Sequence, residues 1–536
     1  MVRILVADKL AQAGLDRLAT TPGVEFDVKP GLGEDELASI VGNYDGMLIR
    51  SGVKITAKVM ANPGRLRAIA RAGVGVDNVD IPAATAAGIL VMNTPDANTI
   101  STAEHTMAML LAVSRRIPEA HAHVKSGQWK RSEFMGTQLA GKTLGIVGFG
   151  RIGRAVATRA LSFEMKVIAY DPFFSGTEAI DGKVRLVQSL DELVAESDYL
   201  TIHAQMTPQT RGMIGKPQLD KAKKGLRIVN CARGGIIDEA ALAEALKTGQ
   251  VAAAAVDVFS KEPPEGNPLL DAPNTVLTPH LGASTHEAQL AVSLDAVDVL
   301  LDYLLRDQIR WAVNVAGMPP QLTAHDKAYL DLAHRMGAIL APLCTGGIET
   351  VSLKTHGESL EPLGGTLARQ ILIDLLSPHF STRLNLINVD EFARQRGITV
   401  QHMSTSRAET FTDNVVATVQ GKGGTHSIEG TVFLDGLPRI LAIDDYRMDM
   451  VPEGPMIIIN NHDQPGVIGL VGTIFGQHNV NIADMTVSRQ KDTALIVLKI
   501  DEPPPPAALA AMEAKSPPIK LVRTVTLPPA ARGARR

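Results

Sequence analysis

The chain has 536 residues and carries 53 basic against 57 acidic side chains, so its net charge is close to zero. This balance excludes a strongly basic surface for nucleic acid or for an anionic membrane, and the length predicts several domains. Two cysteines, Cys231 and Cys344, cannot build a disulfide framework, which favours the reducing cytoplasm. The sequence begins with a strand-like run rather than a signal peptide, and no apolar stretch approaches membrane-spanning length.

The first part of the chain alternates apolar runs with amphipathic segments, which is typical of a doubly wound parallel sheet. In such sheets ligands bind at the carboxyl ends of the strands. Residues at two predicted strand ends are therefore candidates for a substrate wall, although the arginines among them are equally compatible with solvated loop cations. These residues are Arg50, Ser51, Arg71, Gly73, Val74 and Gly75. The strands are predicted at 2–7, 24–28, 46–49, 66–70 and 89–92, and the helices at 10–18 and 34–41.

A glycine pattern between two predicted strands lies at the centre of the sequence. Gly148, Gly150 and Gly153 form G-x-G-x-x-G after an apolar run at 144–147 and at the start of a helix at 152–161. Glycines at these spacings allow a tight turn, close approach of the backbone to a pyrophosphate, and close helix–strand packing. The helix N-terminus offers oriented N–H groups to the phosphates. The pattern indicates a dinucleotide site rather than an ordinary glycine turn.

The second strand of this unit, at 166–170, is followed by Asp171. A carboxylate at that place accepts hydrogen bonds from the ribose hydroxyls of NAD, and it repels the 2′-phosphate of NADP. The sequence therefore predicts NAD as the cofactor.

The central unit continues to a long helix. Ser284 and Glu287 form a capping box for this helix, which runs to about residue 305 and is long enough to cross back to the first unit. The two units are therefore predicted to be lobes with a cleft between them. Further strands are predicted at 199–203, 227–230, 252–256 and 275–277. A helix at 102–115, preceded by Asn98, and a polar connector with Trp129, Lys130 and Arg131 come before the glycine pattern.

The C-terminal part of the chain begins after residue 316, and its residues 321–451 carry no spacing of metal ligands or nucleophiles. A break at 317–320 and a linker at 452–455 divide it into two regions, and the tail at 528–536 is predicted to be disordered. The first region has a helix at 327–340 and a β-rich stretch at 415–446. The second has strands at 456–460, 481–488, 493–500 and 519–527, a helix at 466–477 and a polyproline turn at 503–506.

Three polar segments follow strands of the central unit, at 230–235, 257–264 and 278–285. Hydride transfer between an alcohol carbon and nicotinamide needs a proton acceptor and a cation. His280 suits the first role, since its ordinary pKa is about 6.5, and a buried Glu262 beside it would favour imidazolium. Arg233 suits the second role, because a guanidinium grips a carboxylate with two prongs. Taken singly, the three are equally compatible with a core histidine, a surface glutamate and a loop arginine, and Cys231 is interpreted as a packing residue.

Together these motifs resemble those of the D-2-hydroxyacid dehydrogenases: the glycine loop, N-C-A-R-G-G-x-x-D, D-V-F-x-x-E-P and T-P-H-L-G-A-S-T. The whole layout is similar to the long D-3-phosphoglycerate dehydrogenases, whose substrate-side loops match R-S-G-V-K and R-A-G-V-G-V-D-N-V-D here. The resemblance implies an α/β fold of two doubly wound, Rossmann-like lobes with a cleft, then an α+β intervening domain and a C-terminal ferredoxin-like ACT domain. The implied division is a substrate-binding domain (1–97 and 286–316), an NAD-binding Rossmann domain (98–285), an intervening, allosteric substrate-binding domain (317–452) and an ACT regulatory domain (453–536).

The resemblance also implies an activity, NAD-dependent oxidation of D-3-phosphoglycerate to 3-phosphohydroxypyruvate at the start of L-serine biosynthesis. It implies a cytoplasmic homo-oligomer, a dimer or tetramer, with L-serine as effector and no metal. The implied catalytic residues are Arg233, Glu262 and His280. The implied cofactor-binding residues are Gly148, Gly150, Arg151, Ile152, Gly153, Asp171, Cys231, Ala232, Asp257, His280, Gly282 and Ala283, with Asp257 near the nicotinamide amide. The implied substrate-binding residues are Arg50, Ser51, Arg71, Gly73, Val74, Gly75, Asn98, Lys130 and Arg131, and the effector residues are Asn461, Asp463 and Asn481.

Two departures from the family pattern bear on these implications. Ala204 and Gln205 follow His203 where the family has Thr-Pro, and Asn461 stands where relatives carry a histidine or tyrosine ligand for serine. Two other functions stay open. One is a glyoxylate/hydroxypyruvate reductase or other D-2-hydroxyacid dehydrogenase, and the other is a non-catalytic NAD-sensing scaffold like the C-terminal-binding-protein corepressors. Assays of phosphorylated against unphosphorylated substrates separate the first of these from a phosphoglycerate dehydrogenase.

Overall fold

The structure is a computed structural model that describes residues 1–530 apart from 175, 316, 318, 320–321, 381–382, 407–411 and 515–517. Two sequence predictions fall partly outside the described residues, namely the break at 317–320 and the disordered tail at 528–536. The described residues form four β-sheets that follow one another along the chain. None of the helices among them is long and apolar enough to cross a membrane.

The first sheet has five parallel strands in the order β2-β1-β3-β4-β5. Its central strands are buried because two hydrophobic clusters, one on each face, cover them. The strands are β1 Val2–Val6, β2 Val24–Val28, β3 Gly46–Ile49, β4 Ala68–Arg71 and β5 Leu90–Met92. The helices are α1 Gln12–Ala19, α2 Glu34–Ile40 and α3 Ile81–Ala86, with a 3₁₀ turn at Val41–Asn43.

The second sheet has eight strands in the order β13-β12-β11-β10-β6-β7-β9-β8, all parallel except β8 against β9. The carboxyl ends of its central strands therefore lie along one edge, where the polar segments follow. The strands are β6 Thr143–Val147, β7 Lys166–Tyr170, β8 Glu178–Ala179, β9 Val184–Leu186, β10 Tyr199–Ile202, β11 Leu226–Asn230, β12 Val251–Val256 and β13 Thr275–Leu277. The helices are α4 Thr99–Arg115, α5 Ile117–Lys125, α6 Arg151–Ser162, α7 Leu190–Glu196, α8 Lys216–Lys221 and α9 Glu239–Thr248, with a 3₁₀ turn at Arg131–Phe134.

The helix α10 spans His286–Arg306, so it begins one residue later than a cap at Ser284 would place it. Its N-cap is Thr285, whose Oγ1 accepts a hydrogen bond from the backbone N–H of Ala288 at 3.2 Å. Ser284 instead donates its backbone N–H to Leu281 O at 2.8 Å, in the turn before the helix. The prediction of Ser284 as the cap was wrong, because this turn moves the first helical residue to His286.

The helix α10 leaves the second sheet and packs on the first. Its buried face includes Ala296, Leu300 and Leu304, which share a core with the strands of the first sheet. Gly46 in β3 makes room for the helix, because a Cβ there would lie 2.7 Å from Leu304 Cδ1. The residues that follow the glycine-rich unit therefore complete the first lobe.

The third sheet has six strands in the order β15-β14-β16-β17-β18-β19, antiparallel except for β14 beside β15. Two helices, α11 and α12, pack together against it. The elements are α11 Ala324–Leu340, β14 Ile348–His356, α12 Gly364–Leu376, α13 Val389–Gln395, β15 Thr399–Thr405, β16 Asn414–Gly421, β17 Gly424–Val432, β18 Pro438–Ile443 and β19 Tyr446–Met450, with 3₁₀ turns at Glu358–Leu363 and Ser377–His379.

The fourth sheet is antiparallel, in the order β21-β22-β20-β23. Its βαββαβ sequence of elements is that of a ferredoxin-like fold. Together with the two parallel sheets and the α+β third unit, this confirms the predicted fold class of the whole chain. The polyproline turn predicted at 503–506 ends one residue too late, because Pro506 is the first residue of a helix. Proline is tolerated there because the first N–H groups of a helix have no hydrogen-bond partner within the helix. The elements are β20 Gly454–His462, α14 Val467–Gln477, β21 Ile482–Gln490, β22 Thr493–Ile500, α15 Pro506–Glu513 and β23 Ile519–Leu527.

The strand β20, at the centre of the fourth sheet, is buried on both faces. Ile457 and Ile459 pack with the helices α14 and α15. Met456 and Ile458 belong instead to the core of the third unit, together with Tyr329 of α11. This alternation follows from the two-residue period of a strand. The third and fourth units therefore share one hydrophobic core.

A buried arginine joins both ends of the fourth unit to α11. Arg335 is 1% exposed. Its Nη1 donates to Pro452 O at 2.6 Å and to Pro528 O at 2.8 Å, and its Nε donates to Asp331 Oδ2 at 2.8 Å. Pro452 precedes β20 and Pro528 follows β23, so one guanidinium holds the chain where it enters and where it leaves this unit.

We expect Arg335→Met to lower the free energy of unfolding by about 1–3 kcal/mol for each proline carbonyl left buried without a donor. Chemical denaturation followed by circular dichroism measures this change. The matched control is Arg394→Met, which removes an exposed arginine paired with Glu391 and should change stability by less than about 1 kcal/mol. Equal losses in the two variants would contradict the role given to Arg335.

Candidate active site

The glycine-rich loop after β6 is as tight as its sequence pattern requires. Gly148 has a left-handed backbone, with φ of 88°, and a Cβ there would lie 2.8 Å from the carbonyl carbon of His203. A Cβ at Gly153 would lie 2.2 Å from Gly148 O. Gly150 is the N-cap residue of α6, so the helix N-terminus opens onto the loop. The loop thus has the close backbone approach and the N–H groups that a dinucleotide pyrophosphate needs.

The carboxylate after β7 lies against this loop. Asp171 Oδ2 accepts the backbone N–H of Phe149 at 2.8 Å, and Oδ1 accepts that of Phe173 at 2.9 Å. Its position beside the phosphate loop fits a ribose that follows the pyrophosphate. The side chain of Arg151 pairs with Asp96 at the surface, and that of Ile152 packs against the core.

The candidate proton acceptor and its carboxylate partner are in contact. His280 Nδ1 lies 2.9 Å from Glu262 Oε2 and 3.2 Å from Oε1. Glu262 Oε1 also accepts the backbone N–H of Phe259 at 3.1 Å, which fixes the carboxylate. The prediction that Glu262 is buried was wrong, because its side chain is 41% exposed. It belongs to a loop beyond β12 and points toward solvent, with the imidazole as its neighbour.

Asp257 holds the loop that carries His280. It is fully buried, and it accepts three consecutive backbone N–H groups: that of His280 at its carbonyl O (2.9 Å), that of Leu281 at Oδ1 (2.7 Å) and that of Gly282 at Oδ2 (2.9 Å). Burial raises the pKa of this carboxyl, but hydrogen bonds from His105, Thr278 and Leu281 outweigh burial and lower it. Asp257 is therefore an anion that orders the loop, in addition to its predicted place near the nicotinamide.

Arg233 reaches across the cleft to the first lobe. Its Nε donates to Asp77 Oδ2 at 3.0 Å, and its Nη1 donates to Ala232 O at 2.7 Å. A Cβ at Gly75 would lie 1.8 Å from Arg233 Nη2, so the guanidinium rests directly on the backbone of the opposite lobe. A side chain at this place would displace the guanidinium.

A second guanidinium lies beside the first. Arg71 Nη1 would be 1.9 Å from a Cβ at Gly73, and Arg71 Nε is buried with no hydrogen-bond partner in the described part of the chain. Burial and, after it, repulsion by Arg233 lower the pKa of Arg71 to about 10. Two neighbouring cations, one of them unsatisfied, make this part of the cleft a site for an anion.

The other predicted substrate residues divide into two groups. Arg50 is near Arg71, whose pKa it lowers, and Asn98 at the start of α4 has a buried Oδ1 that no described residue hydrogen-bonds. Lys130 and Arg131 lie instead on an exposed arm after α5, where Lys130 pairs with Glu133, so the described contacts within one chain do not bring them to the cleft. Ser51 is exposed at the end of β3, and Val74 O accepts the amide of Asn93 at 2.6 Å.

The remaining predicted cofactor residues border the strand ends β11 to β13. Cys231 is buried, and burial above all raises the pKa of its thiol to about 12, which supports a packing residue rather than a nucleophile. Ala232 N–H donates to Asn230 Oδ1 at 3.1 Å, Ala283 O accepts from Gln289 Nε2 at 2.7 Å, and Gly282 O accepts from Ser101 Oγ at 2.9 Å.

Sequence reasoning missed two histidines of this region. His203 follows β10, and burial lowers its pKa to about 3, so it is neutral. His105, on α4, lies with Cys231 and Asp257 in a group whose ligand-type atoms are all within 4.8 Å of one another. Both His105 and Cys231 already have protein hydrogen-bond partners, Asp257 and Thr106. Spacing along the chain gave no signal, since the three residues come from different elements.

Family models match most of the described chain. The model described as D-isomer specific 2-hydroxyacid dehydrogenase, NAD binding domain, matches residues 107–282. The D-3-phosphoglycerate dehydrogenase intervening domain matches residues 326–444, and the ACT domain matches residues 456–516.

Solved structures share part of the fold of this chain. A Thermus thermophilus protein is 38% identical, with a TM-score of 0.54, and the match covers 58% of this chain and 99% of that one. A glyoxylate reductase from Paecilomyes thermophila is 31% identical, with a TM-score of 0.54, over 58% of this chain and 98% of that one. An NAD-dependent formate dehydrogenase from Staphylococcus aureus, solved with NAD, is 31% identical, with a TM-score of 0.52, over 57% and 97%.

Curated relatives match along nearly the whole length. The D-3-phosphoglycerate dehydrogenase of Archaeoglobus fulgidus is 42% identical over 516 residues, which cover 95% of this chain and 97% of that one. The D-3-phosphoglycerate dehydrogenase of Bacillus subtilis is 38% identical over 504 residues, covering 94% and 95%. With the glycine loop, the paired His280 and Glu262 and the arginines of the cleft in place, the chain belongs to the D-3-phosphoglycerate dehydrogenase family of D-2-hydroxyacid dehydrogenases.

Proposed function

We propose that the protein oxidises D-3-phosphoglycerate to 3-phosphohydroxypyruvate with NAD, the first step of L-serine biosynthesis. The observation that carries this proposal is the meeting of three features at one cleft. An imidazole–carboxylate pair, His280 with Glu262, lies beyond the same strand ends as a dinucleotide loop, and Arg233 and Arg71 form an anion site beside it. The full-length identity to dehydrogenases of this name supports the same substrate.

The residues of the loop and of β7 fit NAD. The cradle at Gly148 and Gly153 would be filled by a Cβ at either place, and Asp171 is an acceptor beside it. When bound there, NAD supplies the acceptor for the hydride that leaves C2 of the substrate. Asp171 favours NAD over NADP, because its carboxylate would repel a 2′-phosphate.

The chain itself supplies the proton acceptor and the cations. Glu262 binds Nδ1 of His280, which leaves Nε2 as the nitrogen that takes the C2 hydroxyl proton. The carboxylate then stabilises the imidazolium. Arg233 orients the substrate carboxylate and the developing carbonyl, because its guanidinium lies in the cleft, held by Asp77 and by the carbonyl of Ala232. The phosphate needs a second cation, and Arg71, with Arg50 nearby, provides it.

We expect His280→Ala to lower kcat by about 10²–10⁴-fold, because the proton has no other acceptor at that place. NAD affinity should stay nearly unchanged, since the glycine loop and Asp171 are untouched. Steady-state kinetics and calorimetric titration with NAD measure the two quantities. His286→Ala, a change in an exposed histidine of the next helix, is the control. Turnover close to normal in His280→Ala would remove this residue from the mechanism.

We expect Arg71→Met to raise KM for 3-phosphoglycerate at least tenfold more than KM for an unphosphorylated 2-hydroxy acid. The reason is that a charged hydrogen bond to phosphate is lost while the carboxylate contact of Arg233 remains. Arg65→Met, which removes an arginine paired with Asp45 away from the cleft, is the matched control. Equal effects on the two substrates would favour the alternative of a glyoxylate/hydroxypyruvate reductase. A wild-type protein that binds NAD and turns over neither substrate would favour the scaffold.

We also propose that the protein is a cytoplasmic homo-oligomer, a dimer or tetramer. The arm at residues 117–135 supports the oligomer, because α5 has no buried residue and bulky apolar side chains stand exposed along the arm. These are Ile117, Val124, Trp129 and Met135. Lys130 and Arg131 lie on the same arm, so they would reach a cleft only if the arm packs against a second copy of the chain.

The four-domain division at 97, 285, 316 and 452 likewise stays a prediction.

We propose that L-serine binds the C-terminal module at the turn between β20 and α14. The supporting observation is Asn461, which is 2% exposed and has an Oδ1 without a hydrogen-bond partner in the described residues. The carboxylate of Asp463 already accepts Arg489 Nε at 2.6 Å, and Asn481 donates to Asp501 at 2.7 Å. The serine ammonium would therefore share Asp463 with Arg489, and its carboxylate would face the N-terminus of α14.

We expect L-serine to inhibit the wild-type enzyme and Asp463→Ala to relieve that inhibition while the uninhibited rate is kept, because the ammonium loses its anionic partner. Inhibition curves with and without serine, and calorimetry on the full chain, measure the effect. Asp435→Ala, a change in an acidic residue of the third unit, is the control. Calorimetry that detects no serine binding to the wild-type protein would rule out this site.

A further inference from the structure

The helix α4 presents a polar face to the loop that carries His280. Ser101 Oγ donates to Gly282 O at 2.9 Å, and Thr102 Oγ1 donates to the same oxygen at 3.3 Å. One turn further along the same face, His105 Nε2 lies 3.2 Å from Asp257 Oδ1 and 3.4 Å from Thr278 Oγ1. The helix therefore touches the loop directly and also through Asp257.

Asp257 needs these donors because it is an anion with no exposure to solvent. Its carboxylate takes the backbone N–H groups of Leu281 and Gly282, and the Thr278 hydroxyl also donates to it. Among the described residues, no lysine or arginine is paired with this carboxylate, and His105 is its one titratable donor. Cys231, the other titratable group beside it, has its pKa raised and remains a neutral thiol.

The backbone that Asp257 grips is strained at the catalytic residue. His280 has φ of 58°, a left-handed conformation that a residue with a Cβ rarely adopts. Its N–H donates to Asp257 O at 2.9 Å, and the next two N–H groups go to the two carboxylate oxygens. A rotation of the Asp257 side chain would free two of these three amides. The conformation that points His280 at Glu262 thus depends on the orientation of the Asp257 carboxylate.

We propose that His105 is a positioning residue for the reaction. Its Nε2–H fixes the Asp257 carboxylate, and the carboxylate in turn keeps residues 280–282 in the geometry that presents the His280 imidazole to the substrate. His105 itself touches neither substrate nor the hydride path in this role. The proposal rests on His280 as the proton acceptor of the proposed function.

The test compares His105→Leu with His105→Gln in the full-length enzyme. The leucine variant should lose about 10–100-fold in kcat, the scale that slight misplacement of a reacting group produces. KM for 3-phosphoglycerate and NAD affinity should stay within about twofold of the wild-type values. The primary isotope effect with substrate deuterated at C2 should rise, because a slower hydride step limits turnover more strongly. The glutamine variant keeps an N–H donor at similar reach and should recover most of the activity.

A readout without turnover separates this proposal from the proposed function. Hydrogen exchange measured by mass spectrometry should show faster exchange of the amides at residues 280–282 in His105→Leu and near-normal exchange in His105→Gln. The control Glu104→Gln changes the neighbouring residue, which faces Arg159 on the other side of α4, and should alter neither readout. If wild type failed to oxidise 3-phosphoglycerate, the proposed function would fall while the exchange result still tested the His105 contact.

Three results would overturn the proposal. The first is wild-type kcat and isotope effect in His105→Leu. The second is a loss of activity with an unchanged isotope effect and weaker NAD binding, which would place His105 in the cofactor pocket. The third is unchanged exchange at residues 280–282. If the leucine variant does not fold, full activity and normal exchange in His105→Phe, which fills the space of the ring and has no donor, would overturn the proposal equally well.

Discussion

A buried carboxylate at the end of β12 fixes the geometry on which the active site depends. Asp257 accepts the backbone N–H groups of residues 280–282. These residues keep their conformation only while the Asp257 carboxylate stays ionised and in one orientation. Hydrogen bonds outweigh the effect of burial on its pKa, so the charge survives in a place where an isolated carboxylate would be protonated. The His280–Glu262 contact, which lies at the surface, is built on this deeper one.

The cleft combines this fixed anion with two neighbouring cations, Arg233 and Arg71. Arg233 is shared between Asp77 and the space beside Gly75, and Arg71 keeps a buried Nε–H that no described residue accepts. The unpaired, desolvated Nε–H of Arg71 is unfavourable in the free protein, and an anionic group of the substrate relieves it. Part of the substrate affinity is therefore prepared when the chain folds, at the expense of stability in the unliganded cleft.

The sequence was most informative where local physics decides the outcome. The glycine loop, the strand before it and Asp171 lie as predicted, because tight turns and strand ends are set by neighbouring residues. The exposure of Glu262, the cap at Thr285 and the helix beginning at Pro506 were predicted wrongly. The cap at Thr285 follows from a short local turn between Leu281 and Ser284, and the helix start follows from proline at its first position. The exposure of Glu262 instead depends on a loop whose contact, His280, is distant in sequence. His105 was missed for the same reason, since it becomes meaningful only when α4 lies against the end of β12.

The fourth unit enters and leaves the structure at one point, where Arg335 binds the carbonyls of Pro452 and Pro528. A segment whose ends meet in this way can be lost, gained or exchanged during evolution without a new path for the rest of the chain. The sheet within it is less free, because Met456 and Ile458 complete the core beside α11. Any replacement module would need its own apolar sheet face to cover the core beside α11. The meeting chain ends therefore permit an exchange of modules, and the exposed core restricts it to modules with such a face.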